Sequence, residues 1–130
     1  MTEQDALDLI EPIIRQTVNC IAEKRYEGIS GCAEFADGIT YNMLKEWAED
    51  HLAVNGLSHY DRFGVPNNFR PKNPRVIYHQ MRVYLYNDGS GFAAEYDLTT
   101  DGEKNDLTLM MKCLYKDNTL KPYIEGFDVL

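Results

Sequence analysis

Residues 76–86 read Val-Ile-Tyr-His-Gln-Met-Arg-Val-Tyr-Leu-Tyr, and Asn-Asp-Gly-Ser-Gly follows at 87–91. Ile77, Met81, Val83 and Leu85 alternate with Tyr78, Gln80, Arg82, Tyr84 and Tyr86. A two-residue apolar period is the pattern of a half-buried strand. The Asp-Gly that follows is a turn signal, so the chain should reverse into a second strand. The same rhythm recurs downstream. Residues 92–99 put Phe92, Ala94, Tyr96 and Leu98 on one side. Residues 107–116 do the same with Leu107, Leu109, Met111, Cys113 and Tyr115. Residues 120–129 set Tyr123, Phe127 and Val129 against Ile124 and Leu130. Residues 100–105 and Asp117-Asn118 supply the turns between them. Short turns joining about four strands predict an antiparallel meander.

Upstream of position 76 the rhythm is helical. Leu7, Ile10, Ile14, Val18 and Ile21 recur at spacings of three and four, which predicts a helix over residues 5–24 with Thr2 or Asp5 at its cap. Pro12 lies inside that span and predicts either a kink or a helix beginning near Glu11. Residues 25–38 carry Gly28, Gly31 and Gly38 and read as a connection, with Glu34-Phe35-Ala36 as a short extended piece. Thr40 predicts the N-cap of a second helix, whose inner face holds Leu44, Trp47, Ala48, His51 and Leu52 and which Asn55-Gly56 ends. Residues 56–75 hold three prolines and three asparagines and read as an irregular segment, of a length that is usually functional or mobile. Helices first and strands afterwards predict one α+β domain over residues 1–130, its N-terminal helices packed on the C-terminal sheet.

The chain of 130 residues carries a net charge of −8, which disfavours nucleic acid and anionic membranes as partners. The charge is uneven. Residues 59–86 hold Arg62, Arg70, Lys72, Arg75 and Arg82 against Asp61 alone. The acidic start, MTEQDALDLIEP, is not that of a signal peptide. Three cysteines without a CxxC spacing predict reduced thiols and a cytoplasmic setting.

Helices leading into a curved meander resemble the cystatin-like and nuclear-transport-factor-two-like cone folds. Asp88-Gly89-Ser90-Gly91, Tyr96-Asp97-Leu98, Asp101-Gly102-Glu103, Asp106-Leu107-Thr108-Leu109 and Phe127-Asp128-Val129-Leu130 resemble a bacterial domain family of unknown function with a DG…NDLTL hairpin and a hydrophobic last strand. That resemblance implies a bacterial origin and supplies no activity. Some small acidic proteins of the type stand beside toxin genes as presumed immunity proteins.

Few constellations carry chemistry. Asp97, Asp101, Glu103 and Asp106 cluster, but without the alternate spacing of a calcium loop, and Asp and Gly suit a tight turn anyway. His51, His59 and His79 show no metal-binding spacing. His79 falls in the apolar register of the first strand, where it can face a cavity as a base or sit as a core histidine. Cys20 and Cys113 read as small buried hydrophobes, and Cys32, beside Glu34, as a poorly activated thiol. There is no GxSxG elbow, and Gly28-Ile29-Ser30-Gly31 lacks the context of a phosphate loop. Neither a metal nor a cofactor is expected.

The basic, aromatic middle of the chain is the better candidate, since Tyr and Arg dominate interface hot spots. Tyr60, Arg62, Phe69, Arg70, Arg82, Tyr84 and Tyr86 are therefore candidate partner-binding residues. The first functional reading is a non-enzymatic protein-binding domain, of immunity type, with a basic protein partner. The alternative is a small-molecule-binding or enzymatic cone-fold domain, its cavity between sheet and helices lined by Tyr78, His79, Arg82 or Asp97. A homodimer closing on the open sheet face is the third.

Overall fold

The computed structural model describes residues 1–66 and 79–129. The first helix, α1 (Glu3–Ala22), begins at a capping box. The Thr2 hydroxyl accepts from the Asp5 N–H at 3.1 Å, and the Thr2 N–H donates to the Asp5 carboxylate at 2.9 Å. Two of the four orphan donors of the first turn are thus satisfied. The late start near Glu11 does not occur, and α1 runs through Pro12. Pro12 and Asp8 are both exposed, so the Asp8 carbonyl that loses its helical donor can bond to water instead. Ala6, Ile10, Ile14, Val18 and Ile21 form its buried seam.

Lys24 takes a left-handed turn with φ 58°, and a 3₁₀ helix follows over Tyr26–Gly31. That helix is absent from the sequence reading, where its glycines signalled only a connection. The expected extended piece is β1 (Glu34–Phe35). Next comes α2 (Tyr41–Asn55), where the Thr40 hydroxyl accepts from the Met43 N–H at 3.2 Å. Gly56 ends α2 with φ 64°, and the Leu57 N–H returns to the Leu52 carbonyl at 2.9 Å, a Schellman closure.

The sheet is built from β1 with β2 (Met81–Leu85), β3 (Gly91–Thr100), β4 (Glu103–Lys116) and β5 (Thr119–Val129), in the order β1-β5-β4-β3-β2. The four long strands form the expected antiparallel meander. The fifth, β1, pairs parallel to β5 through Glu34↔Tyr123 and Phe35↔Ile124. Of the first expected strand, residues 76–78 lie outside the described residues, while His79 and Gln80 precede β2 rather than belong to it.

The turn at Asp117-Asn118 is as expected, and the one expected over residues 100–105 is tighter. Asp101-Gly102 and Asp117-Asn118 both have two positive φ angles, 53° and 78° in the first, 51° and 64° in the second. These are type I′ turns, which match the twist of paired strands. Asp101-Gly102 alone therefore makes the turn, and Glu103 to Asp106 extend β4 instead of lengthening a loop.

The core lies between the helices and one sheet face. Ile10, Ile14, Val18, Ile21 and Leu44 meet Phe92, Ala94, Leu109, Met111 and Ile124 there, all fully buried. The facing of β5 departs from strict alternation. A register shift at Met110/Met111 leaves Glu125 unpaired, so Ile124 pairs with Met111 and Phe127 with Leu109. Both side chains then share the apolar face, where strict alternation had separated them. Gly126 makes this bulge with φ 128°, and a Cβ there would lie 2.9 Å from Cζ3 of Trp47.

Candidate functional site

Beyond the end of the helical cover, the apolar sheet face continues into a groove. Its floor is Leu107, Phe127 and Val129 from the ends of β4 and β5, and its wall is Trp47, Asp50, His51, Val54 and Asn55 from α2. The cavity volume is about 480 Å³. Apolar side chains on its rim stand in water: Val54 is 84% exposed, Val129 68% and Trp47 39%. The bulge at Gly126 makes this floor, because it returns Phe127 and Val129 to the face of Leu109 and Leu107. An open apolar rim of this kind marks an interaction surface more often than a lone exposed valine does.

The polar groups of the groove are few and ordered. Tyr60 Oη donates to the Ala48 carbonyl at 2.7 Å, so the His51 Nδ1 3.0 Å away must be the N–H that donates to Tyr60. That tautomer leaves His51 Nε2 as an acceptor, and among the described residues it has no hydrogen-bond partner. His51 is nine-tenths buried and lines the groove. The Asn55 amide donates to the His51 carbonyl at 2.8 Å, which steadies the last turn of α2. Burial raises the Tyr60 phenol far above its ordinary value, with the Tyr26 hydroxyl and Glu49 adding to the effect.

The expected site residues fall in several places. Phe69, Arg70 and Tyr78 lie outside the described residues. Tyr60 is not an exposed anchor: its ring is buried and its hydroxyl is spent on α2. Arg62 is exposed and pairs with Glu23 at the end of α1. Tyr84 is half-exposed on β2, and Tyr86 is partly buried beside the turn. His79 is exposed rather than core-facing, because the chain enters β2 only at Met81. The space between helix and sheet is this groove of α2, β4 and β5, and the lining expected for such a cavity differs: His79, Arg82 and Asp97 do not line it.

Arg82 and Asp97 meet each other instead, on the sheet face away from the helices. Arg82 Nη1 lies 2.7 Å from Asp97 Oδ2, and Nη2 lies 3.3 Å from Asp97 Oδ1 and 2.7 Å from Glu95. The Thr108 hydroxyl donates to Asp97 Oδ1 at 2.6 Å. Burial holds the Asp97 carboxyl above its ordinary value, against the pull of the Thr108 hydroxyl and of the Lys104 charge. The positive charges of Arg62 and Arg82 are thus answered within the chain, which weakens their claim as a basic patch.

The described part of the irregular segment is anchored. The Asp61 N–H donates to the Thr99 carbonyl at 2.8 Å, and the Thr100 hydroxyl donates to the His59 carbonyl at 2.7 Å. The Asp61 carboxylate accepts from Asp101 N–H at 3.0 Å, Gly102 N–H at 2.8 Å and the Thr99 hydroxyl at 2.8 Å. Burial alone would raise this carboxyl, but those three donors outweigh it and hold it below its ordinary value. Phe63 stacks on Tyr96 at 5.3 Å between ring centres, and the Arg15 guanidinium carbon lies over the Phe63 ring, 5.2 Å from its centre.

Thiol catalysis finds no support in the geometry. Burial pushes the Cys113 thiol up to about 11. Burial also raises Cys32, with Cys20 as the next cause, so Glu34 is not what disarms it. In the native protein at neutral pH, Cys113 should react with an aromatic disulfide reagent only as fast as the chain unfolds, and Cys32 should react before it. Stopped-flow thiol counting with and without denaturant reads this directly, and rapid native labelling of Cys113 would contradict it.

No helix among the described residues is long and apolar enough to cross a membrane. A family model described as "Domain of unknown function (DUF7668)" matches residues 18–130, so the chain belongs to that family. No curated protein and no solved structure matches it.

Proposed function

We propose that this member of the DUF7668 family is a protein-binding domain, and that the groove between α2 and the ends of β4 and β5 is its binding surface. The observation that carries this reading is the exposed apolar rim of Trp47, Val54 and Val129 over a half-buried Phe127, around an open groove of about 480 Å³. The openness favours a side chain offered by a macromolecule over an enclosed small molecule, which is normally buried over most of its surface. The partner's chemistry follows from charge. The chain carries −8, Asp50 lines the groove, and His51 Nε2 is an unspent acceptor. An apolar anchor residue flanked by Lys or Arg complements all three. An immunity-type role against a basic partner is one form of this activity.

The test is a displayed-peptide selection against the wild-type domain, followed by affinity measurement on Val54→Lys and Val129→Lys. Both positions are largely exposed, so the fold should tolerate them. Selected peptides should carry an apolar residue beside basic ones, and each substitution should weaken them at least about tenfold, or ~1.4 kcal/mol. Tyr84→Ala should leave binding unchanged. Binders that ignore both groove substitutions, or dimerisation of the domain through the groove, would remove the reading.

A further inference from the structure

The anchor of the irregular segment gathers donor atoms from two distant parts of the chain. His59 Nε2 lies 3.3 Å from Asp61 Oδ1 and 3.2 Å from Asp101 Oδ1. One ligand atom from each of the three residues lies within 4.8 Å of the other two. We infer that His59, Asp61 and Asp101 form a Zn²⁺ site, completed by water, which clips residues 59–61 to the β3–β4 turn. This inference is independent of the groove.

The donor set comes first. One imidazole nitrogen with two carboxylate oxygens suits Zn²⁺, whereas Ca²⁺ takes about six to eight oxygens. The spacing agrees. Bonds of about 2.0–2.1 Å in a tetrahedral site set neighbouring donors roughly 3.3 Å apart, and the two histidine–carboxylate separations are 3.3 and 3.2 Å.

Orientation points the same way. His59 Nδ1 lies 2.7 Å from the Ser58 hydroxyl oxygen. When Nδ1–H donates to that oxygen, the lone pair sits on Nε2, the atom that faces both carboxylates. Valence leaves room as well. Asp61 Oδ2 takes Gly102 N–H and the Thr99 hydroxyl, but Oδ1 takes Asp101 N–H alone. An ionised carboxylate offers about four acceptor positions, so Oδ1 keeps one. Asp61 forms the buried base, and His59 and Asp101 leave the outer side open to water ligands.

The same distances would also serve a protonated His59 paired with two carboxylates and holding no metal. Titration separates the two arrangements. Metal-free protein is titrated calorimetrically with Zn²⁺, with Ca²⁺ and Mg²⁺ in parallel, for the wild type and for Asp101→Asn, His59→Gln, Ser58→Ala and Cys32→Ser. Asp101 is exposed with φ 53°, a conformation that asparagine also adopts readily, so the turn should survive.

One Zn²⁺ should bind per chain and raise the unfolding midpoint, with Ca²⁺ and Mg²⁺ far weaker. Ser58→Ala, which removes only an orienting partner, should weaken Zn²⁺ by about 10–100-fold. Asp101→Asn and His59→Gln should weaken it at least as much, and Cys32→Ser should change nothing. Failure of folded wild type to bind Zn²⁺ would overturn the inference and leave the imidazolium pair. Binding that survives both ligand substitutions, or that vanishes with Cys32→Ser, would also overturn it.

Discussion

Asp97→Ala should lower the stability of the domain by about 3 kcal/mol, toward the lower end of what breaking a buried ion pair costs. The carboxylate is wholly buried and holds two groups, the Arg82 fork and the Thr108 hydroxyl. Truncation leaves the hydroxyl without its acceptor and Arg82 with a smaller negative environment. Glu95, at 2.7 Å from Arg82 Nη2, keeps the arginine from being stranded, which sets the lower end. Denaturant unfolding should show the loss as a shifted midpoint at an unchanged slope. Asp97→Asn, which keeps the volume and one acceptor, should cost less than alanine. Equal costs would mean that the cavity, and not the ion pair, dominates.

Gly91→Ala should cost about 3 kcal/mol for a different reason. A Cβ at Gly91 would sit 1.9 Å from the Cys113 carbonyl oxygen, and the residue's φ is 148°. The obstacle is backbone of the neighbouring strand, which cannot rotate away as a side chain can. Relief requires opening the first pairs of β3 with β4, where Gly91 faces Leu114. Gly89, two residues earlier in the same hairpin, is the comparison: its φ is 74°, but nothing lies within 4 Å of its would-be Cβ. Gly89→Ala should therefore cost only about 1–2 kcal/mol, the ordinary penalty of a left-handed residue. Thermal unfolding of the pair measures the difference, and equal destabilisation would refute the proposed clash.

Local chemistry was legible wherever the chain acts over a few residues. Thr2, Thr40 and Gly56 terminate helices by bonds to residues three to five away. The two-residue rhythm found four strands because one face of each is buried against the helices. What depends on distant contacts was not legible. β1 is two residues long and exists through its parallel pairing with β5. Tyr60 looked like an anchor because it falls in the basic, aromatic middle of the chain, yet a carbonyl of α2 takes its hydroxyl. Pro12 looked disruptive because propensity ignores which side of the helix meets water.

The groove was hidden for a related reason. Its wall comes from α2 and its floor from β4 and β5, and the floor exists because a single bulge at Gly126 reverses the facing of Phe127 and Val129. One signal did stand in the sequence. Val54 is apolar, lies outside the inner face predicted for the second helix, and is followed at once by the helix stop. The His59–Asp61–Asp101 cluster was equally invisible to spacing, since its third member arrives through the β3–β4 turn.

Trp47 is the single tryptophan of the chain, and its indole lies on the groove wall. Its indole N–H resonance, followed by two-dimensional NMR together with the methyl signals of Val54 and Val129, is the most direct probe. On titration with a selected peptide that carries an apolar residue between basic ones, these signals should move together, while Tyr84 and its β2 neighbours stay still. Movement at Tyr84 with Trp47, Val54 and Val129 unchanged would place the binding surface elsewhere and contradict the account.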